Sequence, residues 1–570
     1  MSRKPLLFLF FVLFACKSQQ GVQETSLTKI PDEPISLAQS NTVPPAVLAQ
    51  LPGDTASSPL RLSELHIEVK VVGNLATTTM EMLFANETDR VLEGQLYFPL
   101  GQGQSISRFA LDVNGKMREG VVVEKKKGRQ AYENTIRQQI DPGLLEWTAG
   151  QNFKARIYPI PANGYKRMLV AYEHEMPARA SGYQYLLPMH FREAVDSLSV
   201  KVQVFKQQVA PQLEQNELSN LVFQSWEENF QAEQSYTDFL PNQTLGFLVP
   251  QAAKTQKVMI EEQAGEWYYY ANLRPEQMRR QKPAPKHIHL IWDASHSGRD
   301  RDLGKEFAIL DQYFDWVGST TVHLHVLRNR LEERDSYKIK NGDWQSLKSQ
   351  LMATAFDGAS NMGVIDLKPF IGGEIVLISD GLHSFGVDDF QAELTPPIYA
   401  ISSSAVADYS RLERVCQLTG GRFINALVSE AAPAAKNMQE QQVEFLGMKV
   451  LSGEVKDHWP QQFGKFGNSF SLAGKIASRQ AVLKLDYGFK QAGSGSAERL
   501  YSDTVRLNLE QQGSSTGIVP RLWAQKKLAE LDINFEQNKE QIMTLSQRYG
   551  IVSRNTSLIV LDRLEDYVSY

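Results

Sequence analysis

From His287 to about Val428, short apolar runs alternate with runs whose apolar residues recur at helical spacing, and this rhythm constrains the fold most. Ile288–Trp292 (IHLIW), Val322–Leu327 (VHLHVL), Glu374–Ile378 (EIVLI) and Pro397–Ile401 (PIYAI) are short and mostly apolar, the pattern of strands buried on both faces of a parallel sheet. Between them Leu303, Phe307, Leu310 and Phe314 mark one helix face, and Trp344, Leu347 and Leu351 mark a second. A helix around Leu412 and Cys416 and a last strand at Arg422–Ala426 (RFINA) close the series. Strands alternating with helices predict a doubly wound α/β sheet with ligands at the carboxyl ends of its strands.

The rest of the chain has a different period. From about Leu60 to Met176, segments such as Glu64–Val72 (ELHIEVKVV) and Thr77–Phe84 (TTTMEMLF) alternate residue by residue, with turn signals at Asn86, Gly94 and Asn114-Gly115. This predicts a two-sheet, β-sandwich-like domain over 58–177. One exposed helix, Lys127 to Ile136, interrupts the strands, and Glu124–Lys127 is taken as a solvated face. β patterns continue in Tyr183–Phe191, Ser197–Phe205 and Glu266–Leu273, giving an accessory β region over 178–278. The aromatic run Trp267–Tyr270 is assigned to a packed strand rather than a binding platform. Arg279 to Lys286 is a basic, proline-containing linker to the α/β domain at 286–430. Its shortness predicts that the domains it joins move as one unit. Residues 431–570 return to β patterns, with a helix over Leu522–Leu545 and a strand in Thr556–Asp562 (TSLIVLD).

Three segments carry a family resemblance: Glu93–Gly115 (EGQLYFPLGQGQSISRFALDVNG), Glu124–Trp147 (EKKKGRQAYENTIRQQIDPGLLEW) and Phe153–Gly164 (FKARIYPIPANG). In that order they resemble a VIT domain, as found in inter-α-trypsin inhibitor heavy chains and vault-associated proteins. The segments RLWAQKKLAEL and LSQRYGIVSRNTSLIVLD are similar to the region that follows the A domain in VIT-containing proteins.

Asp293-Ala294-Ser295-His296-Ser297, directly after a buried strand, resembles the D-x-S-x-S signature of a von Willebrand A-type domain. That resemblance implies a metal-ion-dependent adhesion site made by Asp293, Ser295 and Ser297, with Ser360 and Asp380 from two further loops. Serine stands at 360 where the family has threonine, and His296 stands where glycine is common. Mg²⁺ prefers near-octahedral oxygen ligands and keeps waters. Two carboxylates and three hydroxyls leave such an ion electrophilic, so the implied partner is a protein presenting a carboxylate. Arg299 and Arg301 lie in the following loop, where an arginine is a rival to the metal for the carboxylates. His323 and His325 share one face of their strand and could chelate, but with no third ligand evident they are assigned to packing.

The amino terminus is an export signal. Arg3 and Lys4 precede the apolar run Leu6–Ala15, about half the ~20 residues a spanning helix needs. Leu13-Phe14-Ala15-Cys16 resembles a bacterial lipobox, implying a signal peptide over 1–16 and a lipid on Cys16. Residues 17–57, rich in Gln, Ser, Thr, Pro and Ala, predict a flexible tether. Lys17 is unlike the aspartate that retains some lipoproteins at the inner membrane, which favours the outer one. With two cysteines there is no disulfide framework, and a formal charge of -5 on 570 residues argues against a nucleic-acid surface. The expected function is therefore non-catalytic: a cell-envelope lipoprotein that binds a partner protein. A metal-free structural or assembly factor stays open, as does an envelope hydrolase, for which Ser295 or Ser297 would need an activating base.

Overall fold

Alternating apolar residues build the first half of the chain. The computed structural model describes residues 28–29, 46–51 and 57–562, apart from 384–395 and shorter internal stretches. Cys16 and the leader lie outside the described residues. The fold is mixed α/β and mostly sheet. Arg61–Val72 and Leu75–Asn86 form a long antiparallel pair, and Gly164–Glu175 and Ser105–Val113 extend it on one side. On the other side Val195–Phe205 pairs in parallel with Arg61–Val72, so the predicted accessory region continues this sheet. A second sheet runs in the order Ser57–Pro59, Ala46–Gln50, Leu92–Pro99, Asn152–Ile160, Gly143–Thr148, Thr556–Val560, Val121–Glu124. Inward residues of both sheets, among them Ile67, Met82 and Phe109 from the first and Leu96, Phe153 and Ile157 from the second, share one apolar core.

Four expectations are corrected here. Residues 46–50 are not tether: Val47 and Ala49 are inward-facing residues of a strand on Leu92–Pro99, 1% and 5% exposed. The basic linker is likewise ordered. Met278–Gln281 pairs with Glu440–Gln442 and with Thr28–Lys29, and Arg279 meets Glu440 at 3.1 Å. The helix Lys125–Arg137 is exposed on one side only, because Ala131 and Tyr132 pack against Leu144, Ile559 and Leu561. The single helix over Leu522–Leu545 is two, Ile518–Leu531 and Phe535–Tyr549, with the Asn538 side chain donating to the Leu531 carbonyl at 2.9 Å between them.

These two helices tie the parts together. Trp523, Leu528, Leu545 and Tyr549 pack on Met259, Tyr268 and Tyr270 of the sheet that includes Lys257–Gln263 and Glu266–Leu273. Tyr268, Tyr269 and Tyr270 are fully buried, as a packed strand requires, while Trp267 is 38% exposed. The first of these helices reaches the first core through Arg521, 3.1 Å from Glu173, and Lys526, 2.7 Å from Glu175.

His174, on the strand between those two carboxylates, sits between the rings of Tyr172 and Tyr185, and its Nδ1 has no hydrogen-bond partner among the described residues. Burial, only partly offset by Glu175, pushes its pKa down to about 4. The unfolded chain then binds a proton between about pH 6.5 and 4 that the folded chain refuses, so stability falls as pH drops through that window. The full loss is about 3 kcal/mol at 1.36 kcal/mol per unit. His174→Phe keeps the ring and removes the titration. It is expected to match the wild type at pH 7.5 and to exceed it by about 2–3 kcal/mol at pH 4.5 in chemical denaturation. Parallel pH profiles of the two proteins would sink this reading.

Candidate functional site

The α/β unit sets up a crevice by topology. Its sheet runs Leu331–Ile339, Thr320–Leu327, His287–Asp293, Glu374–Ile378, Ile398–Ser402, Phe423–Asn425, parallel throughout except for the first strand. Apolar clusters cover both faces, one with the helices Leu303–Val317, Gln345–Ala353 and Ala431–Gln439, the other with Tyr409–Thr419. The chain leaves His287–Asp293 toward one edge and returns to build the other half from Glu374–Ile378. Loops diverge at such a switch point and leave a crevice at the carboxyl ends. Asp293 ends one of these two strands, and Ser379 and Asp380 follow the other.

Four of the five residues expected to form the site are in hydrogen-bond or charge contact there, and the fifth is carried on an adjoining loop. Asp293 and Asp380 are fully buried. The Ser295 N–H donates to Asp293 Oδ1 at 2.9 Å, and the Ser295 and Ser297 hydroxyls are 3.2 Å apart. Asp380 Oδ1 accepts the Leu382 N–H at 3.0 Å, while its Oδ2 has no hydrogen-bond partner among the described residues. Ser360, 1% exposed, lies on a loop laced to the first: Asp357 N–H donates to the Ala294 carbonyl at 2.8 Å, and His296 N–H to that of Gly358 at 2.9 Å. Gly358 has φ +78°, a left-handed conformation that other residues adopt only with strain. Gly381 has φ +70°, and a Cβ there would stand 2.7 Å from Leu412.

Burial first, and then the charge of Asp293, raises the pKa of Asp380; the Ser297 hydroxyl, the Leu382 N–H and Arg301 pull it back. Two buried carboxylates that repel each other, beside an oxygen with no donor, make an electrostatic environment that a cation relieves. Two charged and three neutral oxygens are the kind of donors that would suit a hard divalent ion such as Mg²⁺.

Two residues of this region, Ser379 and Glu306, were not singled out from sequence, while Arg301 was noted there as a rival to the metal. Ser379 donates its hydroxyl to Asp293 Oδ2 at 2.5 Å and accepts the Gly381 N–H at 2.9 Å, which fixes the orientation of the first carboxylate. Its only sequence signal was its place beside Asp380. Arg301 and Glu306 form a buried pair below the crevice, 3.5 Å apart and both without solvent exposure of the side chain. Arg301 Nη1 donates to the Ile378 carbonyl at 2.8 Å, and the guanidinium lies 4.5 Å from the Trp292 ring centroid. Its hydrogen bond therefore goes to backbone rather than to Asp293 or Asp380. Arg299 and His296 are exposed.

Residues 62–172 match the family model described as the vault protein inter-alpha-trypsin domain, in agreement with the VIT resemblance. The mouse protein mono-ADP-ribosyltransferase PARP4 is 22% identical over 163 residues, 26% of this chain. The match spans 8% of the mouse protein's length. Similar solved structures include the ArnB paralog VWA2 from Sulfolobus acidocaldarius, at 12% identity and a TM-score of 0.29, over 52% of this chain and 87% of that one. A von Willebrand factor type A protein from Catenulispora acidiphila shares 12% identity at a TM-score of 0.31, over 52% and 86% of the two chains.

Proposed function

We propose that this VIT-containing chain is a cell-envelope binding protein whose α/β unit holds a divalent cation in the crevice and receives a partner's carboxylate there. The observation that carries the reading is the buried pair Asp293 and Asp380, with the unpaired Asp380 Oδ2. Asp293, Ser295, Ser297, Ser360 and Asp380 would hold the ion, and Ser379 would keep Asp293 turned toward it. The ion supplies an electrophilic open position; the protein supplies a fixed, buried set of oxygens. The Ser379 hydroxyl donates to Asp293, and the Ser295 and Ser297 hydroxyls contact each other, which supports a fixed binding site. Anchoring through a lipid on Cys16, in the outer membrane, follows from the lipobox resemblance and belongs to the same proposal.

A specific observation favours a second reading, a metal-free interaction module. The buried Arg301 charge already offsets part of the repulsion at Asp380. The two readings separate in one experiment on membranes carrying the native chain. Millimolar Mg²⁺ or Mn²⁺ is expected to raise the melting temperature of purified wild type by a few degrees, since a ligand at 100 times its Kd adds about 2.7 kcal/mol. Asp293→Ala should lose that response. Partner capture from the membrane fraction should fail in chelator, and Cys16→Ser should leave the chain outside that fraction. No metal response in the wild type, with capture unaffected by chelator, selects the metal-free module.

A further inference from the structure

A second group of metal-ligating side chains lies in the α/β unit, on the sheet face opposite the helices Leu303–Val317 and Gln345–Ala353 and away from the crevice. His287 and His289 alternate on one central strand, and His323 and His325 alternate on its parallel neighbour, with His289 opposite His323. The four rings form a continuous run: His287 to His323 at 5.8 Å between centroids, His323 to His289 at 5.1 Å, His289 to His325 at 5.5 Å. Ile291, Leu327, Ile375 and Leu377 of this face pack in one apolar cluster, while Ser336 and Glu333 of the edge strand stand opposite His323 and His325.

His289 Nδ1 and His325 Nε2 are 3.3 Å apart in a hydrogen bond whose donor depends on the tautomer, and a metal ion would take the place of its proton. Two Zn–N bonds of about 2.0–2.1 Å to nitrogens at that separation subtend about 107°, close to the tetrahedral angle. Phe370, 5% exposed, covers both rings at 4.6 and 4.7 Å, and His323 is held by Ser336 Oγ at 2.9 Å from its Nδ1. We infer that His289 and His325 form a site for a nitrogen-preferring divalent cation of the Zn²⁺, Cu²⁺ or Ni²⁺ class, distinct from the oxygen-lined crevice. Among the described residues no group of three or more His, Cys, Asp or Glu is arranged to hold a metal ion, so the protein supplies two ligands and solvent the others. His287, exposed, and His323, half-buried, line the approach.

The test uses the full chain without a histidine tag. Titration with Cu²⁺ is expected to give an electron paramagnetic resonance spectrum with nitrogen hyperfine structure from two imidazoles. Zn²⁺ calorimetry should show a site that millimolar Mg²⁺ does not compete for. His289→Gln and His325→Gln should each weaken Zn²⁺ binding at least tenfold, while Asp293→Ala leaves it unchanged. His289→Gln, at the more exposed of the two rings, keeps the test valid if His325→Gln fails to fold. A wild-type spectrum without nitrogen coupling, or Zn²⁺ affinity unchanged in a folded His289→Gln chain, overturns the site.

Discussion

Leu558→Pro is expected to unfold the VIT-containing half of the protein. Thr556–Val560 is an interior strand, with Leu558 opposite Val122 on one side and Leu145 on the other. Every residue of the strand is buried, and Leu558 and Val560 belong to the core that the two sheets share. Proline in a central strand removes a ladder hydrogen bond, and the buried partner left unsatisfied costs about 1–3 kcal/mol. Replacing the buried leucine side chain takes away part of a further 1.5–3 kcal/mol. Against a domain stability of roughly 5–15 kcal/mol, the sum removes much or all of the margin. Limited proteolysis of Leu558→Pro should therefore release fragments from residues 57–250 at once, while Leu558→Ala only lowers the denaturation midpoint. A Leu558→Pro chain that melts within two degrees of wild type would show that this strand does not complete the sheet. The pairing also means that the sheet closes only after the α/β unit lying between its strands has been made. Contacts of such long sequence separation form slowly, so refolding of the first half should be slow in the whole chain.

That pairing shows where sequence reading stops. The strand Thr556–Val560 was legible as a strand, because five buried residues in a row leave a plain apolar signature. Its partners were not, because register between segments hundreds of residues apart leaves no local trace. The α/β strands were legible for the same reason as Thr556–Val560, each being buried on both faces. Ala46–Gln50 was lost in a Pro- and Gln-rich stretch, since among its described side chains only Val47 and Ala49 are fully inward. The linker at Met278–Gln281 gave no signal either, since Arg279 and Arg280 resemble a solvated segment until Glu440 and Glu498 are seen beside them. In the crevice, Asp293, Ser295 and Ser297 were found through their resemblance to the D-x-S-x-S signature, whereas Ser379 and the histidine pair depend on which strands lie side by side. His323 and His325 were noticed as a pair along one strand; the nitrogens that meet are those of His289 and His325 across two.

The buried charges beneath the crevice set the second large effect. Glu306, on the helix Leu303–Val317, is fully buried, receives the Ser403 hydroxyl at 2.7 Å and faces Arg301. Burial raises its pKa, and the Arg301 charge followed by the Ser403 bond holds it down. Arg301→Met keeps most of the volume against Trp292 and Phe356 but strands the carboxylate in an apolar surround. Breaking one side of a buried pair typically costs about 3–5 kcal/mol. The loss should depend on pH with a definite sign. A carboxylate whose folded pKa rises above its unfolded value destabilises increasingly as pH climbs from about 4.3 toward the folded value. Arg301→Met should therefore be nearer to wild type at pH 5 than at pH 8. Arg301→Met with Glu306→Gln removes both charges, keeps a partner for Ser403, and should recover most of the loss and flatten the pH dependence. Arg301 also offsets the repulsion at Asp380, so the single variant should bind added Mg²⁺ more tightly if the crevice takes a cation. Chemical denaturation at the two pH values, with and without Mg²⁺, measures all of this. A loss under about 1 kcal/mol for Arg301→Met, or a double variant no better than the single, would show that the pair carries no stability.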